Sequence, residues 1–369
     1  MTCCCFRVSN GLMLVMREPI RVGVVGFGLA GRFFHAAVVS ATPGLELACV
    51  VERSGDESAR VHPRVKVARS VEELLADVGI QLVVIATPSY SHFELAQQCL
   101  REQRHVVVDK PFALKSEEAA ELIRMARERR LVLAPFQNRR WDGDYQTVRQ
   151  VIASGELGRL VTYESHFDRF RPQPRPEVWR ESGGPGSGIL FDLGPHLIDQ
   201  ALGLFGPPTN LYADVRIDRE NGAADDAFDL RLEYMAVRRL TVLLRSTLTA
   251  CIAGPRFLLH GTRGSFVKWG LDPQEDQLRA GMSYDAPEMG LEAEGAWGEL
   301  RSLDGGVRRL PTLRGDYRGF YENVRDAIEG KAELVVKPEQ AWRTTRLIEL
   351  ARESSGQGRR LRVELSGHP

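Results

Sequence analysis

Lysine is scarce in this chain: of 49 basic residues only Lys66, Lys110, Lys115, Lys268, Lys331 and Lys337 are lysines, balanced by 49 acidic residues. The formal net charge is zero, so no surplus of positive charge points to nucleic acid or to an anionic membrane as partner. The arginine-rich stretch Arg124–Arg130 interleaves with Glu128 and follows Glu121 at helical spacing, the pattern of a solvated helix face. Cysteine is sparse too. Cys3, Cys4 and Cys5 are adjacent, and Cys49, Cys99 and Cys251 lie far apart. That arrangement is neither a disulfide framework nor a zinc spacing; no metal is expected, and a reducing, cytoplasmic setting fits it. Long apolar runs are missing as well. Leu12–Met16 spans five residues, against about 7–15 for a secretory core and about 20 for a membrane span. Residues 1–18 carry no periodicity and read as a disordered tail or a misassigned start, with Met16 as the alternative initiator.

What is present is an ordinary globular composition over 369 residues, 43% apolar and 27% charged, long enough for two domains. From Ile20 to Pro135, short apolar runs (Ile20–Val25, Leu45–Val51, Leu82–Ala86, His105–Val108, Leu131–Ala134, and weaker Val65–Val67) alternate with helical patterns. The helical patterns are Gly31–Ala41, Val71–Asp77, Phe93–Gln103 and Ser116–Arg129, the last with Ser116 as its N-cap. Continuous apolar strands separated by helices predict a doubly wound parallel sheet, an α/β Rossmann domain over 19–137. After Asn138 the strands lengthen and alternate in polarity: Arg159–Phe167, Leu211–Asp218, Ala227–Tyr234, Leu240–Leu248, Arg256–His260 and Ser265–Trp269, the last two joined through a Gly261–Gly264 hairpin turn. The expectation for 138–369 is an α+β domain with a large, mostly antiparallel open sheet. Asp272–Leu310 reads as irregular, and helices near Tyr317–Ile328 and Pro338–Glu353 are placed to pack back on the first domain.

Three motifs carry chemistry. Gly26-Phe27-Gly28-Leu29-Ala30-Gly31 follows a strand and opens a helix, and Glu52 ends the next strand 21 residues after Gly31. That is the context of a dinucleotide fingerprint: Gly26 permits the tight turn, Gly28 lets a pyrophosphate approach the backbone, and Gly31 allows close helix–strand packing. Glu52 is placed to accept from ribose hydroxyls, which favours NAD, whereas the adjacent Arg53 suits a 2′-phosphate or is a solvated loop charge. The balance leans to NAD, with NADP open. The second motif, His105–Pro111, puts Asp109 and Lys110 just past the carboxyl end of a strand, where open sheets bind ligands. A lysine there can stabilise developing negative charge on a substrate oxygen, with Pro111 fixing its backbone. In the third, a glycine-rich loop Gly183–Gly188 leads to Asp192 and His196, four residues apart. Pro195 suits a first helical turn, and Asp192 is close enough to orient His196 if the helix starts early. Histidine suits proton transfer near neutral pH.

In this order and spacing the three motifs resemble the glucose–fructose oxidoreductase / inositol dehydrogenase (Gfo/Idh/MocA) family from Ile20 onward. Asp109-Lys110-Pro111 stands where the family usually has Glu-Lys-Pro, and Asp192 with His196 matches its Asp-x-x-x-His pair. Phe136–Asp142 and Ser165–Pro172 look like a bacterial subgroup that includes NADP-dependent scyllo-inositol 2-dehydrogenases, in which Ser or Arg often replaces Glu52. The resemblance implies Thr87, Pro88, Ser89 and His92 on the nicotinamide side, Asn138, Arg139 and Trp141 near the domain junction, and Asp168, Arg169 and Tyr317 as substrate-pocket candidates. For Trp141 and Tyr317 the bland alternative is core packing, and for Asp168 and Arg169 a surface ion pair. It also implies a homodimer or homotetramer assembled through the second sheet.

The expected function is hydride transfer between nicotinamide and a secondary alcohol or ketone of a cyclitol or sugar. Lys110 and His196 are the catalytic pair, and Asp192 orients His196 or binds a neighbouring hydroxyl. The rival readings are a reductase of another carbonyl or imine substrate on the same fold, and a non-catalytic NAD(P)-binding sensor that keeps the glycines but loses the chemical groups.

Overall fold

The structure is a computed structural model that describes residues 18–235 and 239–365. The tail expected over residues 1–18 falls almost wholly outside the described residues.

The first half alternates strands and helices. In chain order these are β1 (Ile20–Val25), a π-helical turn at Ala30–Ala36 running into α1 (Ala37–Ser40), β2 (Leu45–Val51), α2 (Glu57–Val61), β3 (Lys66–Ala68) and α3 (Val71–Leu75). Then come β4 (Leu82–Ile85), α4 (His92–Arg101), β5 (His105–Val108), α5 (Ser116–Arg129) and β6 (Leu133–Pro135). All six strands pair in parallel, in the order β3-β2-β1-β4-β5-β6. Their continuous apolar runs are explained by helices on both faces: every residue of β4 is buried. The chain leaves β1 in one direction and returns to β4 on its other side, so a crevice opens beyond the carboxyl ends of β1 and β4. The helix expected at Gly31–Ala41 begins as a wider π-turn, a form often found at functional sites.

The second half begins with α6 (Gly143–Ala153), β7 (Leu160–His166), α7 (Ile189–Asp192), α8 (Gly194–Phe205), β8 (Asn210–Arg216), β9 (Ala227–Tyr234) and β10 (Leu240–Thr247). It continues through β11 (Phe257–Gly261), β12 (Gly264–Lys268), α9 (Gln274–Arg279), β13 (Gly298–Ser302), β14 (Val307–Leu310), α10 (Arg318–Ile328), α11 (Pro338–Gln357) and β15 (Leu361–Arg362). The nine strands run β14-β13-β12-β11-β7-β10-β9-β8-β15, antiparallel except where β7 lies parallel to β10. Alternation sets the two faces. Phe228, Leu230 and Leu232 of β9 enter the core against α8 and α11, while Asp229 and Arg231 point the other way. Asp272–Leu310 is more regular than its sequence suggests, since α9, β13 and β14 lie within it.

Helix α11 belongs to both halves. Ala341 and Trp342 join the apolar cluster of the first sheet, and Leu347, Ile348, Leu350 and Ala351 join that of the second. Its Glu349 accepts from the Ser116 backbone N–H at 2.7 Å and from Ser116 Oγ at 2.8 Å. Ser116 is therefore not the N-cap of α5. Lys115 occupies that position and Ser116 is the first helical residue, its hydroxyl turned to α11. Among the described residues no helix is long and apolar enough to cross a membrane.

Candidate active site

The crevice beyond β1 and β4 is a cleft of about 740 Å³ whose floor includes Gly26, Phe27, Gly28, Leu29 and Ala30. Gly26 has φ +97°, and a methyl there or at Gly31 would collide with backbone: with the Ala86 carbonyl in the first case, with the Gly26 carbonyl in the second. Gly28 differs, because a Cβ there would meet nothing within 4 Å. A backbone held bare over open space at the start of a helix fits a pyrophosphate, and the cleft suits a dinucleotide on that ground. Glu52 and Arg53 line the far end. Glu52 accepts from Ser58 N at 2.7 Å and Glu57 N at 3.3 Å, so its carboxylate also caps α2. Arg69, which sequence reading missed, lines the same end and donates to the Glu52 and Gly55 carbonyls and to Asp56. Thr87 and Pro88 line the cleft; Ser89 and His92 do not. His92 is buried, bridging the Pro111 carbonyl at 2.8 Å and the Thr87 carbonyl at 2.9 Å, which fixes the two loops rather than a ligand.

Lys110 extends from the end of β5, followed by a cis peptide bond to Pro111. Its backbone N–H donates to Asp109 Oδ1 at 2.8 Å. Asp109 is buried and faces His35 Nε2 at 3.8 Å, and His35 Nδ1 in turn meets the Tyr321 hydroxyl at 2.6 Å. Lys110 Nζ donates to Asp192 Oδ1 at 2.8 Å and to the Asp192 carbonyl at 2.5 Å. The expected pairing of Asp192 with His196 is not made. Leu193 breaks the chain between α7 and α8, so the two side chains do not share one helix face, and the carboxylate turns to Lys110, Arg180 and Arg169. Burial opposes ionisation of Asp192, but those three cations outweigh it and hold the carboxyl well below its usual range. His196 is pushed the other way: burial first, then the charges of Lys110 and Arg139, hold its imidazole well below 6.5, and its buried Nδ1 has no partner among the described residues.

Lys110, Asp192 and His196 line a pocket of about 290 Å³ that shares Leu29, Ala30, Asp109 and Arg180 with the nucleotide cleft. Asn138, Arg139 and Arg169 also reach it. Trp141, Asp168 and Tyr317 do not. Trp141 packs edge-on against Phe320, Asp168 accepts from His166, Gly254 and Thr247, and Tyr317 is fully buried with its hydroxyl on Asp142 at 2.8 Å. Arg171, Arg175, Arg180, Glu275 and Arg279 line the pocket without having been singled out in the sequence. The only signal for the first three was the density of arginine between 169 and 180.

Residues 20–136 match the oxidoreductase family's NAD-binding Rossmann fold, and residues 149–365 match the C-terminal alpha/beta domain of the same family. Fold and site thus define an NAD(P)-binding oxidoreductase. The chain belongs to the Gfo/Idh/MocA family. It is 42% identical over 343 residues to the uncharacterized oxidoreductase YdgJ of Escherichia coli (strain K12), covering 92% of this chain and 97% of that one. It is 35% identical over 350 residues to the scyllo-inositol 2-dehydrogenase (NADP(+)) IolW of Bacillus subtilis (strain 168), covering 94% and 97%. The crystal structure of an oxidoreductase from Bacillus cereus superposes with a TM-score of 0.84 at 32% identity, covering 94% of this chain and 99% of that one.

Proposed function

We propose that this oxidoreductase moves hydride between a nicotinamide cofactor and a secondary alcohol or ketone carbon of a cyclitol or sugar. The observation that carries the reading is the placement of Lys110 and His196 on one polar pocket that opens onto the nucleotide cleft. Gly26 to Ala30 would hold the pyrophosphate, with Thr87 and Pro88 on the nicotinamide side. The cofactor, when bound, supplies the hydride acceptor or donor. Lys110 directs its charge at the substrate oxygen and stabilises alkoxide character there. His196, neutral through burial, takes the hydroxyl proton in oxidation and returns it in reduction. Asp192, kept ionised, fixes the Lys110 ammonium rather than orienting His196. Asn138, Arg139 and Arg169 supply hydrogen bonds suited to a polyol. Glu52 supports NAD, while Arg53 and Arg69 beside it support the 2′-phosphate of NADP, so use of both is the reading. The similarity to a scyllo-inositol 2-dehydrogenase supports the substrate class.

The test follows reduced-nicotinamide absorbance with NAD⁺ and NADP⁺ against a panel of inositols and aldoses. Reduction dependent on a polyol is expected, and Lys110→Met should lower kcat by about 10²-fold or more, the usual cost of one such donor. Turnover that survives Lys110→Met intact overturns the mechanism. Silence across polyols with cofactor still bound moves the reading to another carbonyl or imine, and silence there too to a sensor.

A further inference from the structure

The pocket's charge is unbalanced. Seven cationic side chains line it against three carboxylates, and each carboxylate is already engaged. Asp192 is shared by Lys110 at 2.8 Å, Arg180 at 3.3 Å and Arg169 at 3.8 Å. Glu275 serves Arg139 at 2.8 Å and Arg279 at 3.7 Å, and Asp109 faces His35. Arg175 takes its partner from outside the pocket wall, Glu181 at 2.7 Å. Arg171 is left over: half-buried on the pocket wall, its guanidinium has no hydrogen bond or ion pair among the described residues. Burial and then the like charges of Arg169 and Arg175 lower its pKa, outweighing the weaker attraction of Asp192 and Glu181.

Arg171 does not dangle. Its backbone N–H donates to the Leu248 carbonyl at 2.7 Å, and its own carbonyl accepts from Arg219 Nη1 at 2.9 Å. Arg219 is buried and tied to Asp226 at 2.8 Å and Glu181 at 3.0 Å. A fixed backbone thus presents an unpaired guanidinium to a pocket whose carboxylates Asp192 and Glu275 are paired with its other cations. Arg169, Arg171 and Arg175 border this pocket and not the nucleotide cleft; of the arginines from 169 to 180 only Arg180 borders both. The missing negative charge therefore belongs on the substrate side.

We propose that the substrate carries an anionic group, a carboxylate or a phosphate, seated on Arg171 with Arg169 and Arg175 alongside. The guanidinium's planar pair of donors matches either group. For its location this rests on the reading of the pocket as the hydride-exchange site; for its chemistry it rests on the charge imbalance alone. The substrate class becomes an acid sugar or a sugar or cyclitol phosphate, with the reacting alcohol at Lys110 and the anion at Arg171.

The experiment is titration calorimetry on the full chain saturated with cofactor, comparing gluconate with glucitol and glucose 6-phosphate with glucose. At low ionic strength at least one anion should bind about tenfold or more tightly than its neutral counterpart, the scale of one charge-assisted hydrogen bond. Whichever pair separates identifies carboxylate or phosphate. Arg171→Gln should abolish most of that advantage and Arg171→Lys restore part of it, with cofactor affinity the same in all three proteins. Equal binding of anions and neutral polyols overturns the proposal, as does a loss in Arg171→Gln that falls on the cofactor instead. Turnover of neutral inositols with no anion advantage would end this inference and leave the dehydrogenase reading standing. Anion binding through Arg171 without turnover of any polyol would do the opposite.

Discussion

At the scale of single residues, the proposed mechanism depends on His196 staying neutral among cations. A histidine whose folded pKa is depressed is unprotonated throughout the neutral range and gains its proton only as pH falls well below 6.5. If the proposed mechanism holds, alcohol oxidation needs the neutral imidazole, so log kcat/KM for oxidation should be flat from about pH 7 down past the ordinary histidine pKa and fall only below it. On the same mechanism ketone reduction needs the imidazolium and should rise as pH is lowered. An acidic limb for oxidation centred at or above 6.5, and abolished in His196→Asn, would contradict this picture. Lys110 was legible in the sequence because its motif places it just past a strand end, and the glycines because their spacing sits in strand–turn–helix context. The Asp192–His196 contact was misread because spacing says nothing about a helix break, and the break at Leu193 sends the carboxylate to Lys110. Arg171 was invisible for a different reason: one arginine among many carries no local signal of being unpaired, since that depends on carboxylates from α7 and α9 that only the fold brings near.

At the scale of elements, strong apolar runs and clean alternation were read correctly and polar elements were not. β1, β4 and β5 are buried nearly throughout and announce themselves. α9 buries only Gln274 and Leu278, and β14 is exposed along most of its length, with Arg308 and Arg309 in it. Neither has an apolar stripe to detect, and charged residues on a terminal strand are how an open edge is kept from pairing further. The glycine turn has the opposite character, constrained by backbone at Gly26 and Gly31. Gly31→Ala would drive a methyl into the Gly26 carbonyl and so push the π-turn off β1. The expected cost is about 1–3 kcal/mol in chemical denaturation, together with at least a tenfold weaker cofactor Kd. An alanine variant that binds cofactor as the parent does would show that the close approach of turn and strand is dispensable.

At the scale of the whole molecule, the outer face of the second sheet is the unfinished surface. Register places Tyr212, Arg231, Leu243, Glu164, Leu258 and Val267 in one row across six strands, and on neighbouring rungs Asp229 pairs with Arg216 and Arg245. A face that alternates ion pairs with aliphatic side chains, and that the chain's own helices do not cover, suits a second copy of itself. We propose a homodimer or homotetramer through this face. Light scattering at micromolar concentration should report a multiple of the 41.2 kDa chain, and Leu258→Asp should shift it toward the monomer. A parent protein that scatters as a monomer would rule the assembly out. The two sheets were legible at this scale because periodicity changes near residue 138, from continuous apolar runs to alternation, whereas their strand order emerges only in the fold. Of the dual allegiance of α11, sequence reading carries only the expectation that the terminal helices pack back on the first domain.

That return has a consequence for how the molecule is made. The core of the nucleotide-binding half includes Ala341 and Trp342, and Glu349 satisfies the first turn of α5 from 233 positions away. A ribosome adding about 5–20 residues per second releases the last strand of the first sheet on the order of ten to forty seconds before it delivers the tryptophan that completes that sheet's covering. Throughout that interval the nascent first half has its glycine turn and its six strands but an open seam along α5, and the seam closes only when the second half has been almost entirely synthesised.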